Sequence, residues 1–201
     1  MAESNDAMSF VLGDHDCQAS VFIFKDDDSV AEAQDQSRAI IDKGQPIRIE
    51  QHRTKADFLS GLSKWNGQDD SDSLNAFLCV YAHMGAPGLA PRQAAGEDLT
   101  SWNELAEALP KGVELLWLLG CNSDECISSW NPLVSPVHSM LLVTSEKKYF
   151  ASMIKAFAHE ICMSPITQYD EMPALLKQKY PDLAQHTKYF RKQDGKWEEL
   201  H

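Results

Sequence analysis

An apolar run that stops abruptly sets the terms for this chain. Leu115-Leu116-Trp117-Leu118-Leu119 passes without a polar interruption into Gly120-Cys121-Asn122-Ser123. A strand with one wet face alternates apolar and polar positions, whereas an unbroken run bounded by turn residues is a strand buried on both faces. Upstream, Ala76-Phe77-Leu78-Cys79-Val80-Tyr81-Ala82 ends the same way, at His83-Met84-Gly85. Ligands of open α/β sheets gather at the carboxyl ends of such strands. If the two runs are parallel neighbours, His83 and Cys121 emerge at one edge of one sheet.

The rest of the chain supplies the alternation that a parallel sheet needs. Residues 1–17 are polar and read as an irregular lead-in. Val21-Phe22-Ile23-Phe24 is a β-branched and aromatic strand closed by Lys25-Asp26-Asp27-Asp28-Ser29. Val30 to Ile41 has helical spacing, and Gly44 and Pro46 break it. A short strand follows at Ile47-Arg48-Ile49-Glu50. Thr54 then caps a helix through Trp65, with Phe58, Leu59 and Leu62 on one face. Residues 66–73 read as a loop. Residues 84–99, with Gly85, Pro87, Gly88, Pro91 and Gly96, read as a long breaker-rich loop. Thr100-Ser101-Trp102-Asn103-Glu104 carries a capping-box signature for a helix that ends at Pro110.

After Cys121, residues 124–136 read as another loop. Ser139 to Thr144 is a strand, and a helix follows from Lys147 to Ile161. Residues 171–184 predict a short helix broken near Pro181. Asp194-Gly195 predicts the turn of a C-terminal hairpin running from Tyr189 to Trp197. The expected class is α/β: a mainly parallel sheet flanked by helices, closed by a β-hairpin, in a single domain over residues 1–201.

Composition narrows the function. A net charge of −12 over 201 residues argues against a nucleic-acid or anionic-membrane surface, since either needs a basic face. The start, Met1-Ala2-Glu3-Ser4-Asn5-Asp6, lacks the features of a signal peptide, and no apolar run reaches the length of a membrane span. The odd number of cysteines, 5 in all, scattered without close pairing, points to a reducing compartment. The expected location is the cytoplasm.

A histidine and a cysteine at adjacent strand ends are the parts of a nucleophilic dyad. The thiolate attacks carbonyls, and an imidazole takes or returns the proton. Backbone N–H groups must also face the developing oxyanion, and Gly85 and Gly120 allow close approach of the backbone. Such a dyad needs no metal and no organic cofactor. His15-Asp16-Cys17 and the pair Cys121 and Cys126 match none of the usual zinc spacings.

The segment from Phe77 to His83, the glycine-rich stretch, the intervening helix, and Leu115 through Ser123 together resemble the caspase-like (clan CD) cysteine peptidases. They are most similar to the bacterial CHAT branch, which also includes separase. The resemblance covers roughly residues 20–162. It implies a caspase-like, flavodoxin-like fold, with Cys121 as nucleophile and His83 as general acid/base. It implies an oxyanion site formed by the N–H of Cys121 and that of Gly85 or Met84, because Met84 stands where the family has glycine. Leu119-Gly120 replaces the caspase Gln-Ala, so cleavage after aspartate is not implied. In the family the loop after the first strand lines the specificity pocket. Here that places Asp26 and Asp27 against a basic side chain of a protein or peptide substrate. The family also implies restraint by a partner, self-cleavage or a ligand, and for a stand-alone domain of this size the expectation is a separate regulatory protein.

Plainer readings stand beside these. A lone strand cysteine is ordinarily a small packing residue, which suits Cys79 and Cys162. Asp26 to Asp28 also suits a solvated cap. Trp102, Trp117 and Trp130 suit core anchors, and His138 and His159 receive no role. The principal rival to the peptidase is a catalytically inactive binding or regulatory module on the same fold. A different α/β signalling or nucleotide-binding domain has no GxGxxG or P-loop run to support it.

Overall fold

The computed structural model describes residues 18–25, 48–65, 76–92, 96–109, 113–120, 129–146, 149–162 and 169–201. The expected helix at 30–41 and loop at 66–73 lie outside them. The described strands are β1 (Gln18–Phe24), β2 (Arg48–His52), β3 (Ala76–Gly85), β4 (Gly88–Ala90), β5 (Thr100–Ser101), β6 (Val113–Leu119), β7 (Val137–Thr144), β8 (Thr187–Gln193) and β9 (Lys196–Leu200). The described α-helices are α1 (Lys55–Trp65), α2 (Trp102–Ala108), α3 (Phe150–Ala156), α4 (Met172–Lys179) and α5 (Pro181–Gln185). The main sheet runs β2-β1-β3-β6-β7-β8-β9. Its pairings are parallel from β2 to β7 and antiparallel from β7 through β9. The fold is α/β with a mainly parallel sheet flanked by helices, consistent with a flavodoxin-like arrangement extended by a C-terminal hairpin.

The apolar runs are explained by what covers them. On one face Val21, Ile23, Cys79, Tyr81, Trp117, Leu119 and Leu142 pack under α3, α4 and α5 through Met153, Phe157, Leu176 and Leu183. On the other, Phe22, Phe24, Val80, Leu116, Leu118 and Leu141 pack under α1 and α2 through Phe58, Leu62 and Leu105. Successive strand residues point to opposite faces, so a strand covered on both sides has no position for a polar residue until it ends. Among the described residues no helix is long and apolar enough to cross a membrane.

Local signals act as their chemistry requires. Thr54 caps α1, its hydroxyl accepting from the Asp57 N–H at 3.2 Å. Asp194 and Gly195 both take positive φ, 49° and 73°, the pair of left-handed residues that a tight β8–β9 hairpin needs. The C-terminal helical segment divides at Tyr180–Pro181 into α4 and α5, because proline offers no N–H to continue a helix. The expected helix to Ile161 is α3 followed by a π-helical turn at Phe157–Cys162. Glu160 in that turn is buried and accepts from Lys179 at 2.7 Å and from the Tyr180 hydroxyl at 3.3 Å. Burial, and then the Glu160 carboxylate, push the Tyr180 phenol up to about 12.

One expectation is corrected. Residues 84–99 do not form a single long loop: β3 continues to Gly85, turns at Ala86-Pro87, and returns as β4, which pairs with β5. The glycines are there for close approach. Gly88 has φ +151°, and a side chain on it would run into the Thr100 backbone of β5. The Trp102 indole N–H donates to the Gly85 and Ala86 carbonyls at 3.2 and 3.1 Å and so holds the turn.

The capping box at α2 is complete. Glu104 accepts from the Ser101 N–H at 2.9 Å, and the Ser101 hydroxyl accepts from the Glu104 N–H at 3.2 Å. Glu104 also takes the Lys55 ammonium at 2.6 Å, joining α2 to α1. These partners, Lys55 first, hold the Glu104 carboxyl at about 2, below its ordinary 4.5. A lowered carboxyl favours the folded state above the ordinary value and loses that advantage as pH falls through the folded one. Glu104→Gln is therefore expected to destabilise the chain at pH 7. The deficit should shrink below pH 4.5 and vanish near pH 2, measured by urea unfolding across that range. A deficit unchanged with pH would mean that the carboxylate charge contributes nothing.

Candidate functional site

The carboxyl edge of the parallel strands gathers the polar groups that their interiors exclude. β1, β3, β6 and β7 reach it in one register, with Phe24 opposite Ala82, Tyr81 opposite Leu119, and Leu119 opposite Thr144. His83, half-buried, follows at the end of β3. β6 finishes at Leu119 and Gly120, whose N–H donates to the Thr144 carbonyl at 3.1 Å. The strands carrying His83 and Gly120 are thus parallel neighbours with a common edge. Cys121, Asp26 and Asp27 lie outside the described residues.

Lys25, the last described residue after β1, is buried at 2% exposure. Its Nζ lies 2.9 Å from His83 Nε2 and 4.9 Å from the centre of the Tyr81 ring. This placement follows from alternation: Ile23, Tyr81 and Leu119 share the face under α3 to α5, and Lys25 and His83 are the next residues of that parity on β1 and β3. The Lys25 backbone is fixed as well, its N–H donating to the His52 carbonyl at 3.1 Å and its carbonyl accepting from Gln51 Nε2 at 3.1 Å.

The nitrogen–nitrogen contact has room for one proton. Either the ammonium donates to a bare Nε2, or Nε2–H donates to a neutral amine. A doubly charged pair would set two donors face to face.

Met84 belongs to the opposite face, packed with Phe24, Val80 and Leu89. It therefore separates His83 from Gly85 along the chain without entering the His83 side of the sheet. It also explains Gly120. A Cβ there would lie 2.6 Å from the Ala82 carbonyl oxygen and 2.7 Å from Met84 Cγ, so glycine at 120 makes the room that methionine at 84 fills. Gly85 is half-buried in the β3–β4 hairpin, opposite Gly88.

Further along the edge, beyond β7, Glu146 pairs with His186 Nδ1 at 3.0 Å. Tyr149 stacks on the His186 ring at 4.8 Å. This pair gave no signal in the sequence because its members lie in unrelated segments. Lys25 was equally hidden, standing at the head of an acidic run that reads as a strand end.

Other candidates fall elsewhere. Cys79 is fully buried within β3, and burial pushes its thiol well above the ordinary range, so it is a packing residue and not a nucleophile. The side chain of Cys162 lies outside the described residues. His138 is exposed, 3.7 Å from Glu114, and His159 is half-buried in the π-helical turn. Trp102, Trp117 and Trp130 are buried anchors.

Comparison with known proteins gives no relative: no family model, no curated protein and no solved structure matches the chain.

The fit of Met84 over Gly120 can be measured. Gly120→Ala is expected to cost about 1–3 kcal/mol, as overpacking of a close-packed site does. In a double-mutant cycle with Met84→Ala, unfolding should show a favourable coupling of about 0.5–3 kcal/mol. The Ala82 carbonyl stays in place and keeps the relief partial. Zero coupling would mean that Met84 does not set the space at Gly120.

Proposed function

We propose that this chain is a caspase-like cysteine endopeptidase, with Cys121 as nucleophile and His83 as general acid/base. One observation carries the reading: β3 and β6 are parallel neighbours with Tyr81 opposite Leu119, so the segments that lead into His83 and Cys121 finish at the same edge. The resemblance of these two segments to the CHAT branch is its second support. In the reaction, Cys121 Sγ attacks the peptide carbonyl after giving its proton to the imidazole. The ring then returns that proton to the leaving amine as the C–N bond breaks, and a water deprotonated by the same ring hydrolyses the thioester, releasing the acid product and restoring the thiol. The N–H of Cys121, with that of Gly85 or Met84, holds the oxyanion. No metal or organic cofactor enters this chemistry.

The substrate is a protein or peptide. Carboxylates at Asp26 and Asp27 favour Arg or Lys before the cleaved bond, by charge pairing. Restraint by a separate regulatory protein and a cytoplasmic location complete the proposal. The net charge of −12 is unsuited to nucleic acid or an anionic membrane.

The second reading, an inactive binding or regulatory module, is favoured by the Lys25 contact at 2.9 Å on His83 Nε2. A donor there opposes the imidazolium that an ordinary dyad forms.

Peptidyl acyloxymethyl ketones carrying Arg, Lys, Asp or Leu next to the electrophile separate the two. The peptidase is expected to label at Cys121, read by mass spectrometry of the tryptic fragment, with the Arg and Lys probes reacting fastest. Cys121→Ala abolishes labelling, and His83→Ala slows it by roughly 10²–10⁴-fold. Preference for the Asp or Leu probe removes the assignment of Asp26 and Asp27. No labelling of the intact protein by any probe, with or without cell extract as a source of activator, establishes the module.

A further inference from the structure

We propose that the outer edge of β9 is a docking site for an extended peptide segment of another protein, one that carries an apolar residue and a basic residue two positions apart. The proposal is independent of the peptidase reading, because β9 closes the sheet at the end away from β1 and shares no residue with the His83 edge.

Among the described residues β9 pairs with β8 alone. The hairpin fixes where its backbone groups point. Asp194 and Gly195 make a two-residue turn, so Gln193 and Lys196 face each other as a pair that exchanges both backbone bonds. Such pairs alternate with pairs that exchange none. Arg191 and Glu198 are therefore bonded to each other, whereas the N–H and C=O groups of Trp197 and Glu199 point away from β8, to the outer edge. A strand added there bonds to these two residues. Its residues opposite them put their side chains on the same face as the Trp197 and Glu199 side chains.

That face holds a groove of about 600 Å³, lined by Trp130, Val134, Phe190, Trp197 and Glu199. Trp130 and Phe190 are buried beneath it. Trp197 is half-buried, and its indole N–H is fixed on the Trp130 carbonyl at 3.3 Å. The other face of β9 is already occupied: Glu198 is paired with Arg191 at 2.8 Å, and Leu200 packs against the core. Glu199 is exposed and has no ion-pair partner among the described residues.

Charge sets the order of the occupant. Lys196 borders the groove at the turn, and Lys192, opposite Trp197, donates to the Val137 carbonyl at 3.2 Å. Positive charge thus surrounds the Trp197 end, and the Glu199 carboxylate marks the other. A cation is repelled from the first and drawn to the second. The fitting segment places an apolar side chain against the Trp197 ring and Lys or Arg against Glu199, while its backbone extends the sheet.

The test uses the full chain with Cys121→Ala, which removes the proposed nucleophile and keeps a peptide probe intact. The probe is a short fluorescein-labelled threonine peptide with Arg and Phe two positions apart, followed by anisotropy and by amide hydrogen exchange. Binding is expected to protect the Trp197 and Glu199 amides further and to leave that of Glu198, already bonded to β8, unchanged. N-methylation of the Arg and Phe nitrogens should abolish binding, and N-methylation of the threonine between them should not. Replacing the peptide Arg by Glu, or Glu199→Lys in the protein, should each weaken binding about 2–5-fold, and the two changes together should restore it.

No rise in anisotropy overturns the proposal, as does a rise without the alternating protection at Trp197 and Glu199. Equal binding of the Arg and Glu peptides, or equal effects of N-methylation at the two kinds of position, overturns it also. Should Glu199→Lys not fold, these two peptide comparisons decide alone. The outcome is separable from the peptidase reading: the ketone probes report on Cys121 whether or not β9 takes a peptide, and β9 is tested with Cys121 removed.

Discussion

A sheet covered by helices on both sides leaves its strands one place for polar chemistry, their ends. Burial of apolar side chains drives the fold, and here each strand interior serves it on alternate faces, through Ile23, Tyr81 and Trp117 on one side and Phe22, Val80 and Leu118 on the other. One set of polar groups that enters the interior forms a continuous chain. Trp117 Nε1–H donates to the Thr144 hydroxyl at 3.0 Å, Thr144 meets the Thr187 hydroxyl at 2.8 Å, and Thr187 donates to the Leu183 carbonyl at 2.8 Å. The two ends fix the direction of the middle bond: Thr187 has given its proton to the carbonyl, so Thr144 is the donor between them. That order satisfies every donor in a place where an unmet one costs about 1–3 kcal/mol. It also ties β6, β7, β8 and α5 together at the edge where β6 ends.

This division explains what was legible in the sequence. Uninterrupted apolar runs identify strands covered twice, so the parallel core and its order of elements could be read. Local signals that need only neighbours could be read too: Thr54, the Ser101–Glu104 box, the Pro181 break and the Asp194-Gly195 turn. The β3–β4 hairpin was not legible. The residues that mark a loop, glycine and proline, are also those a tight turn requires, and Gly88 is demanded by the backbone of β5, a contact that spacing along the chain does not reveal. Of the candidate site, the parallel alignment of the two strands could be foreseen. The partner of His83 could not, because Lys25 lies 58 residues away in sequence and reaches it only through the pairing of β1 with β3.

Met84 and Gly120 show how a departure from a family pattern can be absorbed. Methionine after the histidine falls, by strand alternation, on the far face from the imidazole. With the Ala82 carbonyl it occupies the space that a side chain at 120 would need, so the residue before Cys121 is the one without a side chain. The two positions form a single packing solution, and the His83 side of the sheet keeps its own environment.

Two imidazoles on this edge have different partners: His186 Nδ1 faces the Glu146 carboxylate at 3.0 Å, and His83 Nε2 faces Lys25 Nζ at 2.9 Å. Topology sets the difference. β1 and β3 are parallel neighbours that end level, Phe24 opposite Ala82, so the next residues of one parity, Lys25 and His83, meet. β7 and β8 are antiparallel, Thr144 opposite Thr187, so the residue that enters β8, His186, meets the chain that leaves β7 at Glu146. The direction of each pairing therefore decides which side chain a histidine finds at the edge.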